Sequence, residues 1–358
     1  MNISKKTILL LFLITTFVLV LTGCELPGFG PPPCSAEFLI TSINDANSNG
    51  PGTDIIDLDP GCVYELGSVD NTVDGNNGTP TITSSIIING NDATVRRSTG
   101  AQKAAIRLFH VSQGGELTLN NLRLMDGMGM EPTDVTDPIR NAGGAVFNYG
   151  TLTVNSCFFD INRAKLKGGA IYNAGVMTVN NSTFLNNDVN IGNEPGESGG
   201  AIYNTGTATL TGSTLNTNIA SQSGAGIANS GSMTVTNSTL TGNATTLAGI
   251  ASGAAVMNSG AITISYTTIT QNYSTTAGAV FSAPDTIEIH NSIIADNFGG
   301  DCSYPGTSAI LGMNITSEGS CPGMVTVDPL LGPLADNGGG TLTHAIPADS
   351  PARDAAMG

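Results

Sequence analysis

The 358-residue chain has no Trp, and aromatic residues make up only 5% of it. Charged residues are scarce too, at 11%, against about a quarter in ordinary soluble domains. The 12 Lys and Arg are outnumbered by 28 Asp and Glu, giving a formal charge of −16. Too few cations remain to neutralise a phosphate backbone, which excludes nucleic acid as a partner. The acidic surplus itself speaks to solubility rather than to fold. Disorder is excluded from the other side, because mean hydropathy is +0.11 and disordered chains lack the apolar surface to build a core. None of the six Cys forms a Cys-x-x-Cys pair, so no zinc site is read. No apolar run reaches the roughly 20 residues of a membrane-spanning helix.

The longest apolar run is residues 8–21, behind the basic start MNISKKT. A positive start and a short apolar stretch describe a secretory leader. It ends in Leu21-Thr22-Gly23-Cys24, which resembles the lipobox of bacterial lipoproteins. That resemblance implies a signal peptide over residues 1–23, lipidation of Cys24, and export to the bacterial cell envelope with membrane attachment through the N-terminal lipid. Several acyl chains, at about 0.8 kcal/mol per buried CH₂, hold firmly. Exported chains keep disulfides, and the remaining Cys suggest two local pairs, Cys34–Cys62 and Cys302–Cys321, with Cys157 left over.

What the chain has in abundance is repetition. GGAIYNAG at residues 168–175 returns as GGAIYNTG at 199–206. A phosphate-cradling loop would run from one Gly-rich turn into a helix, with a Lys behind it; these segments run into another strand pattern. Aligned on their glycines, further units begin at Gly143, Gly224, Gly253 and Ala277. One Asn column runs Asn148, Asn173, Asn204, Asn229, Asn258, then Ser282, and a second runs Asn162, Asn187, Asn218, Asn243, Asn272, Asn297. Both step by 25, 31, 25 and 29 residues, so insertions fall between units.

Within a unit the apolar period is two, the strand period. Val146, Val154 and Phe159 head three apolar columns that persist through every later unit. Three short strands cannot bury their own apolar face, but stacked units can. The reading is therefore an all-β chain: a right-handed parallel β-helix of roughly eight to ten coils. Weaker coils precede the regular ones, at residues 51–66, 86–97 and 106–124. The Asn columns are expected to tolerate left-handed corners and to hydrogen-bond along the axis. The Gly two positions after each first-column Asn is expected to finish the bend.

Leu39, Ile43 and Ala46 share one helical face in residues 36–48, which gives an N-terminal helical cap over an otherwise open strand edge. Residues 24–33 read as a Pro/Gly tether, 34–300 as the β-helix with its cap, and 301–358 as an irregular C-terminal cap. The segment DPLLGPLADNGGGTLTHAIPADSPARDAA (residues 328–356) resembles the choice-of-anchor Q domain of secreted bacterial proteins. It departs from that family's usual close by placing Arg353 at an apolar position. The GGAIYN-type units also resemble repeats of chlamydial polymorphic outer-membrane proteins. Both resemblances imply a β-helix at the cell surface, and neither fixes a ligand.

Chemistry is hard to find in the regular coils. One outward column reads Thr153, Thr178, Thr209, Thr234, Thr263, Glu288, and Thr cannot shuttle protons near neutral pH. The insertion at residues 126–143 carries Asp126, Glu131, Asp134, Asp137 and Arg140. Its alternatives are a solvated loop and a calcium site; no cofactor is otherwise required. Asp54, Asp57 and Asp59 read the same way, and His110, His290 and His344 lie far apart. Cys157 falls in a column of Ser182, Ser213, Ser238, Thr267 and Ser292, so it reads as a buried, unreactive thiol. The sharper candidate is the column beside Val146: Phe147, Tyr172, Tyr203, Ala228, Met257, Phe281. Projecting outward, it is an aromatic and apolar stripe for sugar rings or a protein partner, unless residues 188–198 and 244–252 fold over it. The function expected is non-enzymatic adhesion or glycan and protein binding at the cell surface. A polysaccharide-active lyase or hydrolase and a passive surface structure are the alternatives.

Overall fold

A computed structural model describes residues 34–355, apart from 101, 132–135, 190–195, 250–251, 284–285 and 305–307. The leader, Cys24, the tether and Asp134 lie outside the described residues.

The repeat folds as its period dictates. Each unit gives one strand to each of three ladders, represented by Val146–Asn148, Thr151–Asn155 and Phe158–Asp160. The ladders contain 8, 10 and 11 strands, and a fourth, of two-residue strands such as Arg163–Ala164, contains 5. Within the solenoid every strand pairs in parallel with its counterpart one coil away, as Ile171 does with Val146 and Ile202. The register survives the residue 188–198 insertion: Ile171 pairs with Ile202 and Val179 with Leu210 across it. The chain is a parallel β-helix, with eight turns carrying all three faces and two further turns before them. Residues 51–66, 86–97 and 106–124 supply the early coils, as expected.

The three apolar columns fill the interior. Val146, Val154, Phe159 and their counterparts are fully buried, and Phe159 stacks on Phe184 with centroids 4.6 Å apart. Each such side chain contributes about 1.5–3 kcal/mol by leaving water. At the N-terminal end the helix α1 (Ala36–Ser48) closes the stack. Ser35 Oγ accepts from Phe38 N at 3.1 Å as its N-cap, and Leu39, Ile43 and Ala46 face the core. Cys34–Cys62 ties the start of this cap to the first coil, and Cys302–Cys321 staples the last coils.

Polar columns are as ordered as the apolar ones. In the first Asn column each Nδ2 donates to the next Oδ1, at 2.6 Å for Asn148 to Asn173 and 2.7 Å for Asn204 to Asn229. In the second, Asn162 through Asn297 repeat the bond at 2.9–3.0 Å. That row always donates towards the C-terminus, so its last member needs an acceptor with nothing further to donate. Asp301, fully buried, takes the final Nδ2 at 2.9 Å. An outer row runs the opposite way, Asn180 to Asn155 to Asn120 to Asn89, and ends on Asp57 at 2.7 Å. The second column and the outer row thus terminate on a carboxylate, whereas the first column ends with Asn258 Nδ2 donating to Ser282 Oγ at 3.1 Å.

Two expectations about the corners are corrected. The buried Asn residues are not the left-handed ones; positive φ falls at Asn121, Ser156, Asn181, Gly212 and Asn237, and in a second column at Ile161, Asn186 and Thr217. Interior Asn residues are kept for hydrogen bonding. Nor does Gly175 finish a bend by left-handed geometry: a Cβ there would lie 2.1 Å from the carbonyl oxygen of Gly150. Close approach between coils requires it. Gly168, at φ +65°, is a true left-handed corner.

The ladders run on past residue 300, through Cys302–Ser303, Ala309–Leu311, Ile315–Thr316 and Val325–Thr326. Residues 327–355 then turn back along the outside of the Phe158–Asp160 ladder. Thr214 Oγ1 donates to Leu342 O at 2.6 Å, Thr341 Oγ1 donates to Gly212 O at 3.0 Å, and His344 Nε2 meets Thr241 Oγ1 at 3.1 Å. This strap buries Thr214 and Thr239, which strand alternation with the buried Leu215 and Leu240 turns to the outside of the solenoid.

Candidate binding groove

The stripe beside the Val146 column does point away from the solenoid core, in register coil by coil. It begins one coil earlier than the repeat alignment suggested, because His110 pairs with Phe147. Four rings stand on consecutive coils. His110 and Phe147 are 5.6 Å apart, Phe147 and Tyr172 4.7 Å, and Tyr172 and Tyr203 5.6 Å with planes within 5°.

The N-terminal half of this stack is roofed, a correction to its expected exposure. His110, Phe147 and Tyr172 are buried. The cover comes from Tyr149, edge-on to Phe147 at 4.8 Å, from Ile139 and Ala142 of the 126–143 insertion, and from Arg107, whose guanidinium lies 4.7 Å from the Phe147 centroid. Arg107 is itself fully buried, donating from Nη2 to Ile139 O at 3.1 Å. Beside it, His110 Nε2 meets Asp74 Oδ2 at 3.1 Å. Burial, reinforced by Arg107 and opposed by Asp74, holds the imidazole down to about 4. A cavity of about 400 Å³ lined by Asp74, His110 and Tyr149 adjoins this cluster.

Further along, the stripe opens. Tyr203, Met257 and Phe281 are half-buried. Tyr203, Ala228 and Met257 floor a groove of about 230 Å³. Ser198, Gln222, Ser223, Ser230 and Ser259 stand along it, with Lys167 at one side. The wall is braced from beneath: fully buried Glu197 accepts from Lys165 Nζ at 3.1 Å and from Ser221 Oγ. Lys167 Nζ sits 4.7 Å from the Tyr203 centroid. Of the two insertions that sequence reading offered as covers, Gly196 and Ser198 form a rim and Ser252 Oγ touches Met257 Sδ at 3.9 Å.

Two carboxylates of the insertion, Glu131 and Asp137, take up structural work. Arg140 lies 3.5 Å from Asp137 and 3.9 Å from Glu131, while Asp54 accepts from Asn49 and Asp57 from Asn89. Among the described residues no group of three or more His, Cys, Asp or Glu comes together to hold a metal. Cys157 is buried, with its thiol pushed up to about 12 by desolvation. His110, His290 and His344 stand on different faces.

Sequence reading missed one exposed feature. Tyr273 and Phe298 stack with centroids 4.5 Å apart and planes within 5°, 45% and 61% exposed. Each directly follows a ladder Asn, Asn272 or Asn297, and that adjacency was the available signal.

No protein-family model and no curated protein matches the chain. Among solved structures it is similar to the Dettilon tailspike protein (gp208), at 11% sequence identity and a TM-score of 0.29. The match covers 78% of this chain, and this chain spans 58% of that one.

Proposed function

We propose that the protein is an exported, lipid-anchored binding protein of the bacterial cell surface, of the choice-of-anchor Q type, which takes a glycan or protein ligand in the Tyr203–Ala228–Met257 groove. The observation that carries this reading is the groove itself: an aromatic and thioether floor, open to solvent and edged by hydroxyl and amide side chains. Apolar floors with a few placed polar groups are the usual chemistry of ligand sites. The Thr residues of the neighbouring ladder offer no acid or base until Glu288 at the far end of their column. Anchoring rests on Cys24 and its lipobox-like context. A Cys24→Ala variant, fed radiolabelled palmitate, is expected to lose the label and leave the membrane fraction; retained label would refute the anchor. Screening the protein against immobilised glycans and surface proteins, with Tyr203→Ala alongside, tests the groove. Ligand capture that Tyr203→Ala does not weaken would refute it.

A second reading, polysaccharide cleavage, is favoured only by the cavity that brings Asp74, His110 and Tyr149 together. Release of reducing or unsaturated sugars, abolished by Asp74→Asn, would support it.

A further inference from the structure

The stack of rings has a missing member. His110, Phe147, Tyr172 and Tyr203 fill four successive coils, and the next position in register is Ala228, followed by Met257. Parallel strands lie about 4.8 Å apart, so Tyr203 and Met257 are two spacings apart, about 10 Å between backbones. Ala228, only 4% exposed, puts no more than a methyl group at the bottom of that interval, and the groove of about 230 Å³ that opens over it between Tyr203 and Met257 is of a size for one ring.

We propose that this vacant position is a subsite for a single pyranose ring bearing one carboxylate, an inference that rests on the groove being the ligand site. The groove's volume of about 230 Å³ falls below the roughly 300–1,000 Å³ of pockets for drug-sized ligands, which suits one sugar unit. The apolar C–H face of a pyranose stacks on the free face of Tyr203, continuing the column. Ser198, Gln222, Ser223, Ser230 and Ser259 present hydroxyl and amide groups to the ring's edge. An aromatic side chain from a protein partner would fill the same gap but leave those polar groups without matching hydroxyls.

Lys167 supplies the charge preference. It lines the groove, lies against Tyr203, and forms no ion pair among the described residues. The chain carries 28 acidic and 12 basic residues, so a cation left without a carboxylate at a groove is a candidate partner for a ligand anion. The same acidic surplus repels a polyanion, which narrows the ligand to a sugar with one carboxylate.

Calorimetry on the full-length protein in detergent tests this, with a trisaccharide ending in glucuronic acid and its glucose-terminated counterpart as probes. The acidic sugar is expected to bind at least tenfold more tightly. Ala228→Tyr fills the vacancy and is expected to weaken both sugars at least tenfold, with Tm unchanged or raised; Ala228→Ser, which leaves the gap open, retains binding. Lys167→Gln is expected to erase the preference while leaving the neutral sugar unaffected. Unaltered binding by folded Ala228→Tyr would overturn the subsite, and equal affinity for the two sugars in wild type would overturn the carboxylate preference. If neither sugar binds but a surface protein does, and Ala228→Tyr blocks it, the pyranose assignment falls and the groove stands. If wild type binds neither sugar nor protein, the underlying reading of the groove falls with it.

Discussion

The backbone amide of Cys157 donates to Ser182 Oγ at 3.1 Å, placing the free thiol inside a column of hydroxyls. The same bond recurs from Ser182 to Ser213 and from Ser213 to Ser238. Each Ser hydroxyl in turn donates to the carbonyl two residues before it, as Ser182 does to Asn180. Cys157 Sγ makes the weaker equivalent to Asn155 O at 3.3 Å. Cys157→Ser is therefore expected to change stability by less than about 1 kcal/mol, the size of one net hydrogen bond, as read by chemical denaturation. The native thiol should resist iodoacetamide until the solenoid opens, because burial keeps the thiolate scarce. Rapid labelling of folded protein would contradict the register.

Asn218 carries the second interior row at mid-length. Its Oδ1 accepts from Asn187 N and Nδ2, and its Nδ2 donates to Phe184 O and Asn243 Oδ1. Replacing it by Ala strands several buried groups at about 1–3 kcal/mol each. We expect a loss of about 3 kcal/mol or more for Asn218→Ala, against under about 0.5 kcal/mol for Thr178→Ala on the outer face. Equal losses would deny the row its structural role.

Stability should also fall in acid through His110. Its folded value of about 4 lies below the ordinary 6.5, so the unfolded chain takes up a proton that the folded chain refuses. The contribution is present above about pH 6.5 and is lost as pH falls towards 4, in total on the order of 3 kcal/mol. His110→Phe, which preserves the stack on Phe147, is expected to flatten that part of the pH profile. An unchanged slope between pH 6.5 and 4 would contradict the burial of a neutral imidazole.

The cap protects the first coil. Ile43, on the inner face of α1, is fully buried, and Ile43→Asp puts a charge where it cannot be solvated. Losing the cap bares the Thr53–Asp57 strand, whose free edge invites pairing with a second molecule. Light scattering should then report concentration-dependent association in the variant and none in wild type.

The solenoid was legible because strand periodicity and coil stacking each act on many positions at once. Val146, Ile171 and Ile202 could be placed without knowing anything beyond their unit. The Asn rows were legible as columns that hydrogen-bond along the axis, but the left-handed corners also expected of them fall on Asn181 and Ile161, which vary between units, and not on the constant Asn162. The roof over Phe147 was not legible, because it depends on Arg107, Ile139 and Tyr149 meeting across irregular segments. For the same reason the strap over Thr214 was invisible: Leu342 reaches it from 128 residues away. Local pattern determines what lies inside each coil, while irregular segments decide which outward columns stay open.

The central claim, that the stripe's interruption at Ala228 makes the ligand site, is tested most directly by methyl NMR. The chain has ten Met, and Met257 faces the groove while Met177 and Met233 are buried in the core. Titrating a glucuronic-acid-terminated trisaccharide into methyl-labelled protein should shift the Met257 signal and leave those of Met177 and Met233 in place. A saturable shift confined to other methionines, with Met257 unmoved, would contradict the account.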